Sequence, residues 1–136
     1  MQPGTTSSER VRVLLVDDNE ALLERAASVL ASGCVVAGTA KDGISGLEAA
    51  EALHPDVIVL DISMPGISGL EVARRLRAAG STAAVVFLTV HYEEELVQAA
   101  RATGALGYVI KARLASDLML AVREARAGRP FQSQVY

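Results

Sequence analysis

The chain has 136 residues, 51% of them apolar, and a formal net charge of −3. That length suits one domain with a single sizeable core, and that apolar content excludes wholesale disorder. The small acidic balance excludes a basic nucleic-acid footprint. Eleven of the thirteen basic residues are Arg, and their densest group, Arg74-Arg75-Leu76-Arg77, reads as a solvated helix face.

Residues 1–10 are polar, with Pro3 and Gly4, and read as a disordered N-terminal segment. They lack the apolar core of a signal peptide, and no run elsewhere approaches the ~18 apolar residues of a membrane span. A soluble cytoplasmic protein with no membrane contact is expected. The first strand, 11–16, ends in Asp17-Asp18, and Leu22, Ala26, Val29 and Leu30 mark one face of the helix that follows. Asp18 or Asn19 is placed to cap it. A second strand, 34–38, starts at Cys34, the sole cysteine, which reads as a small buried hydrophobe. Lys41 falls in a loop as a solvated charge, and His54, before Pro55, reads as structural.

The third strand, 56–60, is apolar at consecutive positions from Val57 to Leu60, as a parallel strand covered on both faces should be. It ends at Asp61, which opens the turn Ile62-Ser63-Met64-Pro65-Gly66. Ser68-Gly69-Leu70-Glu71 then matches a capping box. Ile67-Ser68-Gly69-Leu70-Glu71 repeats Ile44-Ser45-Gly46-Leu47-Glu48, which reads as a shared way of starting a helix rather than a duplication. A fourth strand, 84–89, ends at Thr89, and Glu93-Glu94-Glu95 opens a fourth helix with the charge its positive end favours. The fifth strand, 107–110, ends at Lys111. Leu114, Leu118, Ala121, Val122 and Ala125 form the buried stripe of the last helix. Gly33, Gly80, Gly104 and Gly128 stand at or near helix ends as stop signals.

Five β-then-α units predict an α/β fold, a three-layer α/β/α arrangement around a doubly wound parallel sheet of flavodoxin-like (βα)5 type. For five strands the expected order is 2-1-3-4-5, which sets Asp17-Asp18 and Asp61 on adjacent strand ends beside the switch point, where such sheets bind ligands. Three carboxylates so placed repel one another unless a cation is present. A hard divalent ion such as Mg²⁺, with oxygen ligands, resolves the conflict. Thr89 and Lys111, ending the next two strands, add a hydroxyl and a compact ammonium. Taken singly, each residue has an ordinary reading as a cap, a turn or a surface charge. Converging together, they make a metal-assisted phosphoryl-acceptor site.

In this ordered set, Val16-Asp17-Asp18-Asn19, Asp61 to Gly66, Thr89 and Gly107-Tyr108-Val109-Ile110-Lys111, the chain resembles the receiver domain of two-component response regulators over about residues 11–127. The resemblance implies that Asp61 is the phosphoacceptor. Asp17, Asp18 and Asp61, with the backbone carbonyl of Ser63, would hold Mg²⁺. Thr89 and Lys111 would contact the phosphoryl group, and Tyr108 would be the aromatic that turns inward on activation. Ser63 and His91 border the site as residues that tune phosphoryl lifetime. Two positions depart from the family pattern: Val90 where a small residue is usual, and Ala112 where proline commonly follows the lysine. The second departure is tolerated in the NarL/FixJ-like subfamily joined to LuxR-type helix-turn-helix output domains. The tail 128–136 resembles the start of their interdomain linker.

The resemblance further implies phosphorylation by a sensor histidine kinase. A switched surface would form from the fourth helix, fifth strand and fifth helix, and the chain would control transcription through an output domain it does not itself carry. A homodimer through that face, or through the first and fifth helices, would fit. No direct DNA contact is expected from these residues, and self-catalysed phosphorylation and dephosphorylation would be the only chemistry. Two alternatives stand beside this reading. One is a stand-alone receiver acting through protein contacts. The other is an aspartate-nucleophile phosphatase, although those enzymes generally carry Asp-x-Asp and here Ile62 and Ser63 follow Asp61.

Overall fold

The computed structural model describes residues 10–134. Nearly all of the N-terminal segment expected to be disordered, and Val135 and Tyr136 at the other end, therefore lie outside the described residues.

The described residues form strands β1 (Val11–Val16), β2 (Cys34–Ala40), β3 (Val57–Asp61), β4 (Ala84–Thr89), β5 (Gly107–Ile110) and β6 (Phe131–Gln132). They also form helices α1 (Glu20–Leu30), α2 (Gly43–Leu53), α3 (Gly69–Ala78), α4 (Glu94–Ala102) and α5 (Leu114–Arg126). The strands make one parallel sheet in the order β2-β1-β3-β4-β5-β6. The order 2-1-3-4-5 expected from the sequence is present. The sheet then gains a sixth strand from the tail, a segment expected to leave the domain.

Alternation within the strands builds two cores. Val13, Leu15, Val57, Val59, Val86, Leu88 and Val109 face one side, against Leu23, Ala26 and Leu30 of α1 and Leu118, Ala121 and Val122 of α5. Leu14, Val16, Ile58, Leu60, Val85 and Phe87 face the other, against Ala50 of α2, Val72 and Leu76 of α3 and Val97 of α4. With both faces covered, every residue of β3 is buried, which explains its uninterrupted apolar run. Each of the larger core side chains contributes about 1.5–3 kcal/mol of burial, so truncation anywhere in these strands will be felt across the sheet.

Helix starts follow side-chain chemistry. Asn19, one of the two caps considered, closes α1 by accepting the Leu22 amide at 3.0 Å on its Oδ1. Ser68 accepts the Glu71 amide at 3.2 Å and starts α3 with one half of the capping box, while the Glu71 carboxylate pairs with Arg74 and Arg75. The repeated pentapeptide is a correction. In α2 the cap is Asp42, whose Oδ1 accepts the Ser45 amide at 2.8 Å, so Ser45 lies inside the first turn and not at the cap. The two pentapeptides therefore begin helices in different registers. Gly80, Gly104 and Gly128 adopt left-handed φ after α3, α4 and α5, whereas α2 ends on His54 at φ 48°. Arg12 stabilises that end, donating to the carbonyls of Leu53 and His54.

Candidate functional site

β1 and β3 are neighbours, so their carboxyl ends deliver Asp17 and Asp61 side by side, and the turn after β1 adds Asp18. Carboxylate oxygens of Asp17, Asp18 and Asp61 all lie within 4.8 Å of one another. Asp17 and Asp61 are 1% and 2% exposed, while Asp18 faces solvent. Local bonds aim the two buried groups. Asp17 Oδ1 accepts the Asn19 amide at 2.9 Å, and Asp61 Oδ1 accepts the Ser63 amide at 3.2 Å.

Lys111, leaving β5 two strands from β3 and three from β1, reaches across to both. Its Nζ is 2.9 Å from Asp17 Oδ2 and 3.3 Å from Asp61 Oδ2. The first of these is the shorter, so the ammonium is the partner of the buried Asp17 Oδ2. Burial pushes the Asp61 carboxyl up to about 6, and the charge of Asp17 adds to this. The Lys111 ammonium and the Ser63 amide pull the other way. Burial works against the Lys111 ammonium as well, but Asp17 and Asp61 outweigh it and hold the amine above its ordinary value.

Thr89 lies at the end of β4 and lines a cleft of about 410 Å³ with Asp18, Asn19, Asp61, Ser63, Val90, His91, Glu93, Leu96 and Lys111. The Thr89 hydroxyl donates to the His91 carbonyl at 3.1 Å, turning it toward its own loop. Val90 is 60% exposed at the cleft mouth. Tyr108 is buried. Burial raises the phenol pKa, and the Thr89 hydroxyl offsets this in part. Tyr108, the residue expected to turn inward on activation, is thus a buried side chain in this structure. The turn after Lys111 is a 3₁₀ turn, Lys111–Arg113, and no cis peptide occurs among the described residues.

The structure brings together Asp17, Asp18, Asp61, Ser63, Thr89, His91 and Lys111. Tyr108 sits one strand position from Val109 on the Thr89 side of the sheet and outside the cleft lining. Sequence reasoning missed Asn19 as a lining residue and Glu93 as the acid at the mouth, because each has a sufficient local explanation as a cap or a helix opener. Lys41, taken as solvated, is exposed and pairs with Glu20 at 2.9 Å.

The Asp61 turn depends on Gly69. A Cβ there would meet the Asp61 carbonyl oxygen at 2.2 Å, because α3 begins directly against the end of β3, with the Gly69 amide donating to Ile62 O at 2.8 Å. Gly69→Ala will therefore destabilise the fold by about 3 kcal/mol in a denaturant titration, with backbone rather than a flexible side chain having to yield. An unchanged midpoint would show that this approach is looser than described.

The family model described as "Response regulator receiver domain" matches residues 13–123. The chain belongs to the response regulator receiver family. Among curated relatives it is 36% identical over 131 residues to the nitrate/nitrite response regulator protein NarL of Escherichia coli K12, covering 95% of this chain and 61% of that protein. It is 34% identical over 122 residues to the transcriptional regulatory protein LiaR of Bacillus subtilis 168, covering 88% and 58%. This receiver thus spans about three-fifths of the length of those relatives. Among solved structures, the signal receiver domain of the response regulator NarL from Mycobacterium tuberculosis superposes with TM-score 0.85 at 33% identity, covering 89% of this chain and 99% of that one. The receiver fold and the two-component class expected from the sequence are both present. No helix among the described residues is long and apolar enough to cross a membrane.

Proposed function

We propose that this receiver is a phosphorylation switch whose acceptor is Asp61. The observation that carries this reading is the contact of one ammonium, Lys111, with two buried carboxylates in a cluster of three. Three carboxylates against one ammonium leave two negative charges when all are ionised, the charge a divalent cation neutralises.

Asp17, Asp18 and Asp61, with the carbonyl of Ser63, would hold Mg²⁺. That ion, when bound, supplies positive charge to the oxygens of a transferring phosphoryl group. An ionised Asp61 oxygen attacks phosphorus as the bond from phosphorus to the donor breaks. The donor is an imidazole nitrogen of a sensor histidine kinase or the acyl oxygen of acetyl phosphate. The bonding pair leaves with imidazole, which takes up a proton, or with acetate. Lys111 offsets charge on the phosphoryl oxygens without needing to reorient, since it already sits against Asp61. The Thr89 hydroxyl exchanges the His91 carbonyl for a phosphoryl oxygen. That rearranges the β4–α4 loop above Tyr108 and alters the α4–β5–α5 face. Ser63 and His91, at the rim, tune how long the acyl phosphate survives. The relatives' names support transcriptional output as the consequence in a longer protein.

Incubation with Mg²⁺ and acetyl phosphate will add one phosphoryl group, read by intact mass, at an acyl phosphate sensitive to hydroxylamine. Asp61→Asn will not be labelled. Labelling of the Asn variant to the parent's extent would refute Asp61 as acceptor, and repeated turnover of a phosphomonoester would favour the phosphatase reading.

A further inference from the structure

The strand that carries Lys111 into the site is held at its far edge by the chain's own tail. β6 pairs parallel with β5, Gly107 opposite Phe131 and Tyr108 opposite Gln132. The Phe131 amide donates to Leu106 O and the Ser133 amide to Tyr108 O, each at 2.9 Å. There the ladder changes character. The next donor on β5, the Ile110 amide, is accepted at 3.1 Å by the Ser133 hydroxyl oxygen instead of a backbone carbonyl. That hydroxyl donates in turn to Asp117 Oδ2 at 2.7 Å. Ser133 is 2% exposed, so its hydroxyl has no water to fall back on.

Asp117 is itself fully engaged. Arg113 donates to its Oδ2 at 3.0 Å and Ser116 to its Oδ1 at 2.9 Å. Burial works against its charge, but these donors and Ser133 outweigh it and hold the carboxyl below its ordinary value. Arg113 closes the 3₁₀ turn that Lys111 opens, and that turn has no side-chain cap and no buried residue of its own. Lys111 is therefore bracketed. The residue before it is fixed by Ser133, and the turn after it is tied by Arg113 to the same carboxylate.

We infer that Ser133 is a positioning residue for Lys111: with Asp117 it sets the end of β5 and the turn beyond it, so that the ammonium meets Asp61. This deepens the phosphoacceptor reading and rests on it. Asp17, Asp18 and Asp61 are carried by other strands, so the cation cluster does not depend on this tie. The consequence is a split. Loss of Ser133 slows phosphoryl transfer while leaving the divalent-ion site intact.

The test compares parent and Ser133→Ala in two measurements on folded protein, checked by thermal melting. One is the half-saturating Mg²⁺ concentration from amide chemical shifts around Asp17 and Asp61. The other is the rate of labelling by acetyl phosphate at saturating Mg²⁺. Expected are a Mg²⁺ midpoint no higher than the parent's, since a displaced ammonium competes less for Asp17 and Asp61, a labelling rate lower by roughly tenfold, and faster hydrogen exchange at the Ile110 amide. Equal labelling rates overturn the inference, as does a fall in Mg²⁺ affinity that matches the fall in rate, which marks a general loosening. A parent that takes no label overturns the phosphoacceptor reading itself and this inference with it. If Ser133→Ala does not fold, Asp117→Asn serves, since it keeps the serine hydroxyl but removes the charge that orients it. A rate lower by roughly threefold is expected there, and a parental rate overturns the inference.

Discussion

Asp61→Asn will make this receiver more stable than the parent at neutral pH in the absence of divalent ions. A carboxyl raised by burial and by Asp17 from 3.8 to about 6 binds its proton more tightly folded than unfolded. Below the unfolded value both states are protonated and nothing is lost. Between that value and about 6 the folded state holds more protons, so stability falls as pH rises. Above about 6 both states are ionised and the folded state bears the full difference, about 3 kcal/mol. Asparagine removes the charge and keeps an acceptor for the Ser63 amide, while Lys111 keeps Asp17 at 2.9 Å. Because the ammonium loses one of its two partners, the expected net gain is about 2 kcal/mol in urea at about pH 7.5, shrinking to nothing near pH 4. Adding Mg²⁺ will raise the melting temperature of the parent more than that of the variant, since only the parent has the third carboxylate to neutralise. A variant less stable than the parent at neutral pH, or a gain that does not vary with pH, would mean that Asp61 is not held against its charge.

Much of this arrangement could be read before any coordinate was known, and the reasons differ by residue. β1, β3, β4 and β5 were legible because each is an apolar run closed by a polar residue, and their ends carry the residues of the site. β2 runs two residues past its expected end, to Ala40, because pairing with β1 continues through a bulge that leaves Ala37 without a partner in the register. No apolar pattern marks that continuation. β6 left no signal at all. Two residues after Gly128-Arg129-Pro130 are too few for periodicity, and their place in the sheet comes from the open edge of β5. The registers of the two pentapeptides could not be told apart locally, since Asp42 and Ser45 are both good capping residues and only the bond from the Ser45 amide to Asp42 decides between them. Electrostatics was the least legible layer. That one of the crowded carboxylates is raised was expected, but that it is Asp61, that the Thr89 hydroxyl bonds to His91 O and that Tyr108 is buried follow from distances and burial, which spacing along a chain does not encode.

Lys111→Ala separates the two roles that the ammonium plays. In the parent it is 19% exposed and stands between two carboxylates that are nearly inaccessible. Removing one partner of such a pair typically costs about 3–5 kcal/mol. Here Asp61 can relieve part of that cost by taking up a proton, so a loss of about 3 kcal/mol at neutral pH is expected, smaller at lower pH as protonation relieves the repulsion. Mg²⁺ will bind the variant more tightly than the parent, because no ammonium competes for Asp17 and Asp61, and will return most of the stability. Phosphoryl transfer will not return with it. The cation would be held by Asp17, Asp18 and Asp61, and the positive charge on the β5 side of the cleft is gone, so labelling by acetyl phosphate should stay lower by about 10²–10³-fold even at saturating Mg²⁺. Stability restored by the ion without restored labelling would assign charge balance to the acidic cluster and transition-state contact to Lys111. Full recovery of both would show that the ammonium serves only to keep two carboxylates apart.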